Sequence, residues 1–154
     1  MRPLKSLAAS VLALLLAAAD GAAQERNKTF DDWVRDPMHT TNGQIRVTGV
    51  RHDKYVRAYR CAAYENATFV IATVEKSRLH EKTAKGQRGV LLRVLAAQNC
   101  QPAAKGDYLP LELGPSVWIN LGYEADEDWT ALRVKAPDGT EAGLVFDASV
   151  YAMD

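Results

Sequence analysis

The chain is poor in the residues from which catalytic and metal sites are built. Its 154 residues hold two cysteines and three histidines. His39, His52 and His80 are scattered, with neither the H-x-H nor the H-x-x-x-H spacing that brings two imidazoles onto one metal. Met38-His39 offers a soft donor pair, but two donors are too few to hold an ion, so no metal is expected. Ser6, Ser10, Ser77, Ser116 and Ser149 are the serines, and none stands in G-x-S-x-G or S-x-x-K. Gly86-Gln87-Arg88-Gly89 lacks the lysine and following Ser/Thr of a phosphate-cradling loop. No cofactor is expected. Charge of one sign is missing as well. With 19 basic and 19 acidic residues the formal net charge is zero, which excludes the basic excess of a general nucleic-acid binder.

What the chain does have begins at its start. Arg2 and Lys5 precede the uncharged apolar stretch Leu7–Ala19, which is too short for a membrane span of about 20 residues. Asp20 ends it, and Gly21-Ala22-Ala23 supplies small residues before Gln24. This is the pattern of a signal peptide, Met1–Ala23, cleaved after Ala23. No cysteine sits at the cleavage point to carry a lipid anchor, and no later run is long and apolar enough to span a membrane. Removal of Met1–Ala23 takes Arg2, Lys5 and Asp20 out of the balance of 19 and 19 and leaves a net charge of −1. Gln24–Asp154 then has the length of a single exported domain. An exported chain is periplasmic or secreted, and such compartments are oxidising. Cys61 and Cys100 are therefore expected to form one structural disulfide.

The longest β-like stretch runs from Tyr55 to Glu75 and is rich in β-branched and aromatic side chains. It reads as two strands, near 55–63 and 67–75, joined by a hairpin at Glu65-Asn66. Period two puts Tyr55, Arg57, Tyr59 and Cys61 on one face. Before it, Thr29 can cap a short helix over Phe30–Arg35, with Asp32 at the acidic position three residues on. Asp36-Pro37 ends that helix. Gln44–Val50 alternates as a half-exposed strand. Lys76–Gly89 is polar, basic and loop-like. Val90–Ala97 fits a buried strand or a helix ending before Pro102, with strand favoured. Tyr108–Leu113 is a strand that contains Pro110, so it belongs at a sheet edge or carries a bulge. Gly114-Pro115 turns into a strand over Ser116–Tyr123. Glu124–Asp128 is an acidic turn. Trp129–Lys135 and Glu141–Asp147 flank Pro137-Asp138-Gly139, a hairpin signal. The fold class implied is mainly β: an antiparallel sandwich or small barrel of about seven to eight strands with a short N-terminal helix.

Tyr and Arg are the favoured anchors of protein interfaces. Tyr55, Arg57, Tyr59 and Arg60 gather on the central stretch, and Arg78 and Lys82 on the basic segment after it. These six are the candidate partner-binding residues, with no catalytic residue assigned. The functional expectation is a small exported binding module without enzymatic chemistry, of the periplasmic inhibitor or immunity type, contacting another protein. A small secreted hydrolase would draw on His52, Asp53, His80 or the Glu124–Asp128 cluster. A structural component of an envelope assembly would expose an apolar patch or an unprotected strand edge. Asn27-Lys28-Thr29 and Asn66-Ala67-Thr68 match the N-glycosylation acceptor, which matters only in a eukaryotic host.

Overall fold

A computed structural model of the chain describes residues 29–48, 56–120 and 126–149. The stretch expected to be a signal peptide, Tyr55, His52-Asp53 and Glu124 lie outside these residues. The chain divides into two compact units, Met1–Trp33 and Val34–Asp154. Thr29 opens helix α1 (Phe30–Arg35) as expected. Its carbonyl accepts the first helical bond from the Trp33 N–H at 3.0 Å, and its hydroxyl accepts from the Asp32 N–H at 3.2 Å, which satisfies one of the donors that a helix start leaves open.

The second unit is one antiparallel sheet with two helices on one face. Its elements are β1 (Ile45–Val47), β2 (Ala58–Cys61), α2 (Tyr64–Ser77), α3 (Ala84–Ala97), β3 (Gln101–Pro102), β4 (Gly106–Ile119), β5 (Glu127–Lys135) and β6 (Glu141–Asp147). The strand order is β1-β4-β5-β6-β2-β3.

Helix α2 corrects the reading of the Tyr55–Glu75 stretch as a hairpin. Only Ala58–Cys61 is strand, and the chain turns helical from Tyr64. The reason lies in spacing. Ala67, Val70, Ile71 and Val74 are all buried and recur at i, i+3, i+4 and i+7, the stripe of an amphipathic helix. Burial of that stripe overrides the β preference of the individual residues. Thr68 and Thr73 are accommodated by donating their hydroxyls to the carbonyls of Glu65 and Phe69 one turn back. Glu65 and Asn66, read as a turn, form the first helical turn instead. Asn66 Nδ2 donates to Gln98 Oε1 at 2.9 Å and ties the start of α2 to the end of α3.

Val90–Ala97 is likewise helix and not strand, and α3 begins within the segment read as a loop. Thr83 caps α3 by accepting from the Gly86 N–H at 3.0 Å, and Gln87, Leu91 and Leu95 are its buried row. Its end is a Schellman motif. Asn99 takes φ 55°, its N–H bonds the Ala96 carbonyl, and the Cys100 N–H bonds the Leu95 carbonyl. The motif sets Cys100 against β2, where it forms the expected disulfide with Cys61. Both half-cystines belong to the core between helices and sheet, with Val70, Ile71, Leu91, Leu95, Trp129 and Val145.

The register sorts the sheet into two faces. Val117 pairs with Trp129, Ala131 with Val145, and Tyr59 with Val145; these side chains point under the helices. Here α2 comes close: a Cβ on Gly143 would lie 2.3 Å from the Ala63 carbonyl oxygen, so only glycine fits. The other face carries Leu132, Val134, Leu144, Phe146 and Ala58, with Tyr108 and Ile45 of the β1–β4 pair, and it too is buried. β4 shifts register between Pro110 and Glu112 and again between Leu113 and Ser116. Bulges of this kind bend a strand and raise its twist, and the sheet curls into a half-barrel around that second face. Gly114-Pro115, read as a turn between two strands, is such an irregularity inside one long strand. The described sheet is thus antiparallel and the fold mainly β, as expected. Its strands number six, and the layer opposite its first face is helical where a sandwich would have a second sheet.

The β5–β6 hairpin matches its sequence signal. The Gly139 N–H bonds the Ala136 carbonyl at 2.9 Å, and Gly139 takes φ 85°. Asp138 holds this turn. It accepts from the Thr140 hydroxyl at 2.7 Å, the Thr140 N–H at 3.1 Å and Arg60 Nη1 at 3.1 Å. The Thr140 hydroxyl is the leading cause that lowers its pKa to about 2. Below neutral pH the carboxylate therefore stays ionised until the pH falls through about 2. We expect an NMR titration of the Asp138 carboxyl to move upward in Thr140→Val; an unchanged midpoint would remove the hydroxyl from this account.

Candidate functional site

β4 is the longest strand and has an open side. β1 covers only its first residues, through the pairs Val47–Gly106, Arg46–Asp107 and Ile45–Tyr108. From Leu109 to Ile119, β4 is paired on one side by β5 and on the other side by no strand among the described residues. Pro110 and Pro115 lie in this segment and have no N–H to offer a further rung, and the second strand on that side stops before them. From sequence Pro110 implies an edge or a bulge, and the register shift between Pro110 and Glu112 is such a bulge. Leu109 and Leu111 are each 40% exposed and Trp118 is 49% exposed along it. By register Leu109 lies opposite Lys135 and Trp118 opposite Asp128. Apolar side chains therefore stand on both faces of the strand, next to unpaired backbone.

Five of the six candidate residues are described: Arg57, Tyr59 and Arg60 stand on or beside β2, and Arg78 and Lys82 in the α2–α3 link. Arg57 precedes β2, with its guanidinium 4.8 Å from the centre of the Phe146 ring and its Nε 3.4 Å from the Asp147 carbonyl. Tyr59 points under the helices, 6.1 Å from the Trp129 ring. Burial raises its pKa, with Arg88 opposing and Glu127 reinforcing the shift. Arg60, one residue on, points to the other face and is bound to Asp138 and Thr140. Arg78 and Lys82 lie together in the α2–α3 link: Arg78 pairs with Glu75 at 3.2 Å, and Lys82 Nζ donates to the Arg78 carbonyl at 3.3 Å. Tyr55 is outside the described residues. The strand alternation expected from sequence holds at Tyr59 and Cys61, and it turns Tyr59, half-buried, toward the helices.

The chain matches no family model, no curated protein and no solved structure. The site therefore has to be read from its own geometry.

One pair escaped sequence reasoning. Glu127, read as part of a solvated acidic turn, is 2% exposed and accepts a two-pronged hydrogen bond from Arg88 Nε at 3.0 Å and Nη2 at 2.9 Å. It shares a small cleft of about 110 Å3 with Val56, Tyr59, Leu91, Leu92 and Trp129. The Trp129 indole N–H is buried and has no hydrogen-bond partner among the described residues. The available signal was period two: Glu127 stands two residues before the inward Trp129, so a strand extended backwards turns it inward as well. Asp147, also buried, is satisfied by the Asp128 N–H, the Ser149 N–H and the Ser149 hydroxyl. His39 is buried with Nε2 3.9 Å from Asp36, and His80 is exposed. Among the described residues no three His, Cys, Asp or Glu side chains gather as a metal site. No described helix is long and apolar enough to cross a membrane.

Proposed function

We propose that this chain is a small exported binding module without enzymatic chemistry, acting by protein–protein contact as a periplasmic inhibitor or immunity-type protein does. The observation that carries this reading is the open side of β4, with Leu109, Leu111 and Trp118 exposed beside it. An unpaired strand edge supplies main-chain donors and acceptors for an added strand, while side chains on its two faces supply selectivity. The Cys61–Cys100 bridge and the lack of a membrane-crossing helix among the described residues are compatible with an exported protein. A second reading, a structural component of an envelope assembly, draws on the same edge, with copies of this chain pairing in place of a foreign strand.

The test is a pull-down from host envelope extract with the oxidised chain from Gln24, run beside size-exclusion chromatography of the bait alone. The expected result is one stoichiometric partner, lost in Trp118→Asp and in Leu111→Asp while the circular dichroism spectrum is kept. A central aromatic anchor contributes upward of about 2 kcal/mol, so the loss should exceed about thirtyfold in affinity. Concentration-dependent self-association abolished by the same substitutions would favour the assembly reading. Binding that survives both substitutions would overturn the assignment of the edge.

A further inference from the structure

The curl of the sheet brings its two sides together at one end. At about 4.8 Å per strand, β1 and β2 would lie roughly 19 Å apart in a flat sheet, with β4, β5 and β6 between them. Yet Arg46 of β1, Thr48 just beyond it and Arg57 just before β2 line one cleft of about 210 Å3. The loop carrying Met38, His39 and Thr41 closes its third side. The cleft is the mouth of the half-barrel, over the interior face on which Phe146 lies, and barrel mouths are a recurrent place for ligand sites.

Its chemistry is one-sided. Among the described residues, two arginines, an imidazole and threonine hydroxyls line it, and none of the described lining residues is a carboxylate. Of the described acids, Asp107 is 3.4 Å from Arg46 Nε, and Asp36 is 3.9 Å from His39 Nε2. Arg46 is 60% exposed and uses only Nε on Asp107, so its terminal nitrogens make no hydrogen bond among the described residues. Arg57 is held in place by the Phe146 ring and the Asp147 carbonyl. Thr40 gives its hydroxyl proton to the Val34 carbonyl, so the hydroxyls that remain to donate are those of Thr41 and Thr48. Forked guanidinium donors together with hydroxyls are the set that binds oxyanions. The volume exceeds that of an inorganic ion, and Pro37 and Met38 add an apolar wall.

We propose that this cleft binds the oxyanion group of a small organic ligand, with Arg46 and Arg57 as the paired cations and Thr41 and Thr48 as hydroxyl donors. The site is separate from the β4 edge and stands whether or not that edge binds a partner.

The test is a 1H–15N NMR titration of the oxidised chain with inorganic phosphate, with parallel arms of sulfate and acetate at constant ionic strength. Saturable shifts at Thr41, Arg46 and Thr48 are expected in at least one arm, and the tightest arm names the oxyanion class. Arg46→Gln should weaken that binding about tenfold, the value of a charged hydrogen-bond donor. The exposed position of Arg46 leaves the fold intact, and Thr48→Val gives a second, uncharged probe of the same cleft. Arg93→Gln, exposed on α3, should leave the affinity unchanged. No saturation in any arm up to about 50 mM, or equal weakening by Arg93→Gln, would overturn the proposal.

Discussion

Reducing the Cys61–Cys100 bridge is expected to lower stability by about 4 kcal/mol, the value that chain entropy assigns to a closed loop of this size. The cysteines are 39 residues apart, and the segment they enclose is the whole helical hairpin, α2 and α3. For a domain of this length the loss corresponds to a fall in Tm of roughly 10–20 °C. It should be localised. The bridge joins the end of α3 to β2, while β5 and β6 are held by their own ladder and hairpin turn. Hydrogen exchange of the reduced chain should therefore speed up first in α2 and α3, and last in β5 and β6. Guanidinium unfolding with and without reductant, and of Cys61→Ala/Cys100→Ala, measures the global term. Coincident midpoints would mean that the packing of Val70, Ile71, Leu91 and Leu95 holds the hairpin on the sheet without the bridge.

How much of this was legible in the sequence depends on whether a local rule or a distant partner decides each element. Thr29 caps α1 and Pro137-Asp138-Gly139 turns the β5–β6 hairpin because the side chains themselves satisfy the backbone or set its φ. Pro110 announces an edge or a bulge because it has no N–H, whatever lies around it. α2 is different. Its β-branched residues state a strand preference, and the helical stripe Ala67, Val70, Ile71 and Val74 becomes decisive only when a sheet is there to bury it. α3 carries Gly86 and Gly89 in its first half, which weakens its helical signal, and its end is fixed by a Schellman motif on Asn99 where glycine would be usual. The candidate site was legible only in part. That the proline strand lies at an edge or carries a bulge could be read from sequence. The meeting of Arg46 and Arg57 could not, since it depends on a curl set by two bulges in β4.

Arg88→Met is expected to cost about 3 kcal/mol, the low end of the range for breaking a buried ion pair, because Arg88 is 37% exposed and only Glu127 is fully enclosed. The same asymmetry predicts unequal single substitutions. Losing Arg88 leaves a carboxylate under the helices without its guanidinium. Glu127→Gln leaves a guanidinium that can turn to water, and an amide that keeps an acceptor oxygen for it, so it should cost about 1 kcal/mol. Arg88→Met/Glu127→Leu should recover most of the loss, since apolar side chains of similar volume replace a buried pair at little cost. Their surroundings, Val56, Leu91, Leu92 and Trp129, are already apolar. Chemical denaturation of Arg88→Met, Glu127→Leu and the double variant forms a double-mutant cycle, with Glu127→Gln measured beside it. A double variant as unstable as Arg88→Met would mean that the pair is specific to this packing and cannot be replaced by apolar bulk. A stable double variant would place the pair's value in registry: Arg88 is fixed on α3 and Glu127 at the start of β5, so their bond sets where the helix sits along the sheet. That position also sets the level at which Cys100 reaches Cys61, so the ion pair and the disulfide hold the two ends of one helix. Weakening both at once should cost more than the sum of the separate losses if each end positions the other, and simple additivity would show that they act independently.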